Sequence, residues 1–175
     1  MHGNVKTQAQ FLADAKAGRL PSVSWVYGPR NQDFHPGAGS RVKASDAWLG
    51  SAVNALATGK DWPSVMAFIT FDDWGGWEDQ VDPPAVEIFP KGTPYADEPY
   101  RYGSRVPCIV FGPYAKKSYV SHALSSHVSL VAFTEQLWAL PASPNADAKR
   151  RTAKDTAMRD CYDLKQKPLA PPTLP

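Results

Sequence analysis

Cysteine is scarce in this 175-residue chain, with two in all, Cys108 and Cys161. Their spacing forms no CxxC pair, which removes a cysteine-built metal site from consideration. Cys108 lies in the apolar run "VPCIVF" and reads as a buried small hydrophobe. A Cys108–Cys161 disulfide would depend on the redox compartment. Charge of one sign is also missing. A net charge of +2, with the signs interleaved, leaves no basic stripe and argues against a nucleic-acid partner. The runs "AKKSY" and "AKRR" are short and read as solvated faces. No apolar run approaches the ~20 residues of a membrane helix. The opening "MHGNVKTQAQ" carries no apolar core of a secretion signal, so a chain without one is expected. No internal repeat is visible.

What is present suits a globular protein: 43% apolar and 21% charged residues. The length fits one domain with a core of its own, here read as residues 1–164. The 17 prolines gather in loops and in the last stretch, "KQKPLAPPTLP". Residues 165–175 therefore read as a polyproline-like tail, packed on a surface or free.

Local signals then place the elements. Thr7 can cap a helix over "TQAQFLADAKAG", with Phe11, Leu12 and Ala15 on one face and Gly18 as its stop. Alternation of Val23, Trp25 and Tyr27 in "LPSVSWVYG" predicts a strand, followed by the long polar loop "PRNQDFHPGAGSR". "SDAWLGSAVNALATG" predicts a helix capped by Ser45 or Asp46, striped by Leu49, Val53 and Leu56 and ended by Gly59. "SVMAFITF" and "RVPCIVFGPY" are near-continuous apolar runs, as in strands buried on both faces. "SSHVSLVAFTEQLWAL" predicts a last helix with Leu130, Phe133, Leu137 and Trp138 on one face. This alternation implies an α/β fold, a layered α/β/α arrangement with a mostly parallel sheet. Ligands in such folds bind beyond the strand ends, where the loops after Tyr27, Phe71 and Phe111 would meet.

The loop "DDWGGWEDQVDPP" carries the strongest chemical signal. Side chains alternate along a strand, so adjacent Asp72 and Asp73 cannot both face solvent in a regular one. Paired carboxylates after a buried strand can present hard oxygen ligands to a divalent cation, or cap a turn and face water. His35, before a proline, is either a phosphate-contacting or acid–base group or a plain loop residue. His127, in the first turn of the last helix, could cap, pack or reach a ligand. Arg105 leads into a buried strand and suits a structural ion pair better than substrate contact.

Taken in order, "LPSVSWVYGP…HPG", "DAWLGSAVNAL", "FITFDDWGGWEDQVDPP", "YGSRVPCIVFGPYAKKSYVSH" and "SSHVSLVAFTEQLWALP" resemble the carboxy-terminal part of the bacterial phosphoesterase family. That family holds acid phosphatases and non-specific phospholipases C within the alkaline-phosphatase-like superfamily. The resemblance runs from about Leu20 to Pro172 and implies a partial alkaline-phosphatase-like fold. It implies that Asp72 and Asp73 ligate a divalent metal ion and that His35 contributes to the phosphate site. The implied reaction is attack of a metal-activated hydroxyl side chain on phosphorus, then hydrolysis of the phosphoryl enzyme.

Two departures stand out. Asp79-Gln80 replaces the family's usual Asp-His. The early "ENRSFD"-type segment and the segment with the nucleophilic Ser or Thr have no counterpart in these residues. The expectation is thus a metal-dependent phosphoric-ester hydrolase present as a partial chain. Its substrate would be a phosphate ester or phospholipid, with a complementing chain or self-association as the partnership. The alternative is a non-catalytic truncated α/β domain that binds metal or a partner. Members of the family are usually exported.

Overall fold

The computed structural model describes residues 2–37, 39, 41–152 and 155–173. Ala38 and Ser40 of the polar loop, and Leu174 and Pro175 of the tail, lie outside them. The chain divides into two compact units. One runs to Ala67 and adds Phe111–Tyr114 and the chain from Lys165; the other comprises Phe68–Val110 and Ala115–Leu164.

In the first unit, α1 spans Gln8–Ala17 between its local signals. The Thr7 hydroxyl accepts the Gln10 N–H at 3.2 Å, and Gly18 closes the helix in the left-handed conformation. Helix α2 spans Val42–Ala57, three residues ahead of the expected cap. Ser45 is buried within the first turn instead of capping it. Its hydroxyl donates to the Arg41 carbonyl and accepts the Phe34 N–H.

The deepest positions of α2 are small, Ala52, Ala55 and Ala57, while Leu49, Val53 and Leu56 flank them at intermediate burial. Small residues let α1 approach closely. A Cβ built at Gly59 would stand 2.2 Å from the Ala15 carbonyl oxygen and 2.8 Å from that of Ala55. Gly59→Ala is therefore expected to cost roughly 1–3 kcal/mol or more by forced backbone movement. Urea unfolding followed by helical ellipticity would measure it.

The tail from Lys165 packs within this unit. Trp62 is buried, lies 5.3 Å from the Phe111 ring and donates its indole N–H to the Leu169 carbonyl. The Leu169 N–H and the Gln166 side chain both donate to the Pro113 carbonyl.

The strand expected at Val23–Tyr27 does not form; Trp25 and Tyr27 are 66% and 73% exposed. Alternation describes a strand only where a neighbour supplies the ladder, and no pairing reaches this segment among the described residues.

The second unit contains the strands. β1 (Ala67–Thr70) pairs with β4 (Cys108–Phe111). β2 (Ala85–Ile88) and β3 (Pro99–Arg101) form an antiparallel hairpin with Glu87 opposite Tyr100 and a bulge between Ala85 and Glu87. Among the described residues no sheet is wider than two strands, so the layered, mostly parallel sheet is not formed among them. Burial follows from that width. No residue of β1 is fully buried, and Cys108, read as a core residue, is exposed together with Ile109.

Helix α3 spans Val128–Leu137. Its inner face is Ser129, Ala132 and Phe133, whereas Leu137 and Trp138, expected on that face, are exposed at its end. Phe133 meets Phe68 at 4.9 Å and Tyr162 at 5.3 Å between ring centroids, both edge-on. Asp155 fastens α3 by accepting the Ser129 hydroxyl at 2.8 Å and the Ala157 N–H at 2.7 Å. A short α4, Ala146–Thr152, carries the "AKRR" run. Its Arg151 is not solvated as expected: the guanidinium lies 4.7 Å from the Tyr100 ring centroid and 3.5 Å from the Glu87 carboxylate. No helix among the described residues is long and apolar enough to cross a membrane.

Candidate functional site

β1 delivers the carboxylate pair. The strand ends at Thr70, and Asp72 and Asp73 follow, both exposed. Asp73 Oδ1 accepts the Gly75 N–H at 2.6 Å, a side-chain turn that halts the extended backbone. Gly75 and Gly76 then follow at φ of 66° and 80°, a left-handed pair that glycine adopts without steric cost. Both aspartates can therefore face outward because the chain has left strand geometry by that point.

The same strand end holds a residue whose role was open from sequence. His127 Nε2 lies 2.8 Å from the Phe71 carbonyl oxygen. A carbonyl only accepts, so Nε2 carries the proton and Nδ1 is left as an acceptor. His127 makes no side-chain cap to α3. The only sequence signal for this placement was a histidine at a helix start, which spacing does not connect to residue 71.

His35 belongs to the first unit. Its N–H donates to Asp33 Oδ1 at 3.2 Å, and its Nδ1 lies 2.8 Å from the Pro36 carbonyl oxygen. The ring is tied to its own loop through one nitrogen, leaving Nε2 for other partners.

The chemistry of the carboxylates suits two ligands of a hard cation. Asp73 uses one oxygen on Gly75, which leaves its second oxygen and the Asp72 carboxylate for a metal. Such cations take six or more oxygens. Among the described residues no cluster of three or more His, Cys, Asp or Glu that could hold a metal is assembled. The pair can be part of a ligand set whose remaining donors come from elsewhere.

Further along the loop, Asp79 engages Arg105. Its carboxylate accepts the Arg105 backbone N–H at 2.9 Å, Nε at 3.0 Å and Nη2 at 2.8 Å. This is the structural ion pair expected for Arg105, and it ties the loop to the entry of β4. The guanidinium and that N–H hold the Asp79 carboxyl far below the ordinary carboxylate range. A depressed folded value contributes stability above the unfolded value and loses it as pH falls toward the folded one. The stability gap between wild type and Asp79→Asn is thus expected to stay constant from neutral pH down to the ordinary value of 3.8. It should shrink only below that. Denaturant unfolding of both proteins across this range checks it.

In the third loop, Tyr119 and Ser121 donate their hydroxyls to Asp160. Cys108 and Cys161 are free thiols facing one cavity of about 310 Å³ with Lys116. Burial pushes both thiols above their ordinary value, so neither is poised as a thiolate nucleophile.

A mixed α/β chain with an acidic strand-end site is the class these features define. Residues 2–141 match the model of the Phosphoesterase family, and the chain belongs to that family. It is 29% identical over 160 aligned residues to a non-hemolytic phospholipase C of Pseudomonas aeruginosa, covering 79% of this chain and 23% of the relative. It is 30% identical over 162 residues to phospholipase C A of Mycobacterium tuberculosis, covering 80% of this chain and 29% of the relative. A non-specific phospholipase C1 of Arabidopsis thaliana is 30% identical over 131 residues, 65% of this chain and 23% of the relative. The likeness thus reaches plant as well as bacterial proteins. The chain spans about a quarter of the length of these curated relatives.

Proposed function

We propose that this chain forms part of a metal-dependent hydrolase of phosphoric esters, with a phospholipid or other phosphate ester as substrate. The observation that carries this reading is the outward carboxylate pair Asp72–Asp73 at the end of β1, in a member of the Phosphoesterase family similar to phospholipases C. Asp72 and Asp73 would hold a divalent cation, which supplies charge neutralisation at a phosphate. His127 would help fix that strand end through Phe71, and His35, through its uncommitted Nε2, would contact the phosphate. Strands β1 and β4 would sit inside a wider, mostly parallel sheet in the whole fold. Their apolar composition and the exposure of Ile109 support this placement. The remaining strands would come from a complementing segment or a second copy.

Hydrolysis of bis(p-nitrophenyl) phosphate tests the reading, using the chain alone and co-expressed with the remaining segment of a family relative. We expect turnover in the co-expressed sample that EDTA abolishes and that Asp73→Asn lowers by roughly a hundredfold or more, the scale of a lost electrostatic contact to the reacting group. Turnover indifferent to both changes would overturn it. A second reading, a non-catalytic α/β domain that binds metal or a partner, draws on the incomplete ligand cluster among the described residues. It predicts metal binding without turnover in either sample.

A further inference from the structure

The loop between β1 and β2 builds a second feature beyond the carboxylate pair. Because Gly75 and Gly76 turn left-handed, the chain doubles back, and the Trp77 N–H reaches the Trp74 carbonyl at 3.3 Å. Both indoles, Glu78 and the Asp79–Arg105 pair then line one open cavity of about 420 Å³, walled further by Pro107. Trp74 is 50% and Trp77 72% exposed. Two large indoles bordering one cavity at that exposure are unusual for surface tryptophan, which gains by burial against a ligand.

The charge balance of the cavity is specific. Asp79 and Arg105 neutralise each other through three hydrogen bonds. Glu78 is left as the one uncompensated charge of the lining, and no ion pair or hydrogen bond engages its carboxylate among the described residues. The cavity therefore offers two indole rings and one net negative charge. Indole is the best aromatic partner for a cation, and a quaternary ammonium is the cation that needs no hydrogen-bond acceptor. A primary ammonium would seek three acceptors, whereas the Asp79 oxygens are already committed to Arg105.

We infer that the cavity lined by Trp74, Trp77 and Glu78 is a binding site for a quaternary ammonium group. Free choline and the choline headgroup of a lipid share that chemistry. The inference goes beyond the phosphoric-ester reading and holds without a metal, so the two fail separately.

The test is ligand-observed NMR of the choline methyl signal with the 175-residue protein in EDTA. Comparators are the neutral isostere 3,3-dimethylbutan-1-ol and the primary amine ethanolamine. Saturable choline binding is expected, at least about tenfold tighter than either comparator, since the cation–π attraction requires a desolvated positive charge. Trp77→Ala should abolish it and Glu78→Gln weaken it. Both side chains lie on an open loop, so far-UV circular dichroism should stay unchanged.

Equal binding of 3,3-dimethylbutan-1-ol would reduce the site to an apolar patch and overturn the inference. So would an absence of saturation, or choline binding that survives Trp77→Ala. Co-sedimentation with phosphatidylcholine vesicles, but not phosphatidylglycerol vesicles, lost in Trp77→Ala, would support the site and assign the group to a lipid headgroup. Choline binding without vesicle binding would support it and assign a soluble quaternary amine.

Discussion

An Asp72→Asn/Asp73→Asn variant is expected to lose the divalent-cation binding of this chain. Isothermal titration of metal-stripped wild type with Mn²⁺ should give one site per chain. The double variant should bind at least roughly a hundredfold more weakly, because loss of a mere supporting partner already costs ten- to a hundredfold. Adjacent carboxylates repel each other, and a cation between them relieves that repulsion. Asparagine keeps the shape and removes both charges. A residue-73 amide oxygen can still accept the Gly75 N–H that sets the turn, so the loop should hold its course. Thermal unfolding offers an independent readout. Metal at a hundred times its Kd should stabilise the wild type by about 2.7 kcal/mol and leave the variant unmoved. Equal binding by both proteins would sink the metal assignment and favour a role for the pair in the turn alone.

The largest loss of stability is expected at Phe133. It is buried and makes edge-on contacts to Phe68 and Tyr162, so it links β1, α3 and the chain after α4 in one aromatic row. Phe133→Ala should cost roughly 3–5 kcal/mol from lost transfer energy and the cavity left behind. Against a typical total of 5–15 kcal/mol, that approaches unfolding of the unit. Leu137→Ala, on the exposed end of the same helix, should shift stability by about 0.5 kcal/mol or less. Urea unfolding of the two variants separates the cases. A Phe133→Ala loss as small as that of Leu137→Ala would mean the row is not the core of this unit.

The two loops differ in what supports them, and this shapes the functional reading. The carboxylate pair is held by one local turn at Asp73 and by the packing of β1 behind it. Trp77 and Glu78 instead hang between that turn and the Asp79–Arg105 clamp. Breaking the clamp should therefore disturb the indole cavity more than the aspartates. Choline binding and metal binding of Asp79→Asn, measured side by side, would show the separation.

How much was legible in the sequence depends on the range of the interaction involved. Helix α1 was readable to its ends, because Thr7 and Gly18 act on backbone groups within one turn of themselves. The Arg105 ion pair was readable in kind, since a charge entering an apolar strand needs a partner, but its partner Asp79 lies 26 residues away. The start of α2 was misplaced because Ser45 resembled a cap. Its hydroxyl is instead held inside the turn by Arg41 and Phe34, a loop contact with no local pattern.

Sequence alone determined the family, the two long helices α2 and α3 in outline, and the candidate pair Asp72–Asp73, all carried by local composition and by collinear motifs. Only the tertiary structure decided which apolar runs become strands, because a strand exists through its neighbour. "LPSVSWVYG" has no ladder among the described residues, while the Pro- and Gly-rich stretch after Pro84 supplies the β2–β3 hairpin. It likewise placed His127 against Phe71 and turned Trp74, Trp77 and Glu78 toward one cavity. Those placements depend on chain reversal at Gly75–Gly76 and on pairing between distant segments, which no run of neighbouring residues encodes.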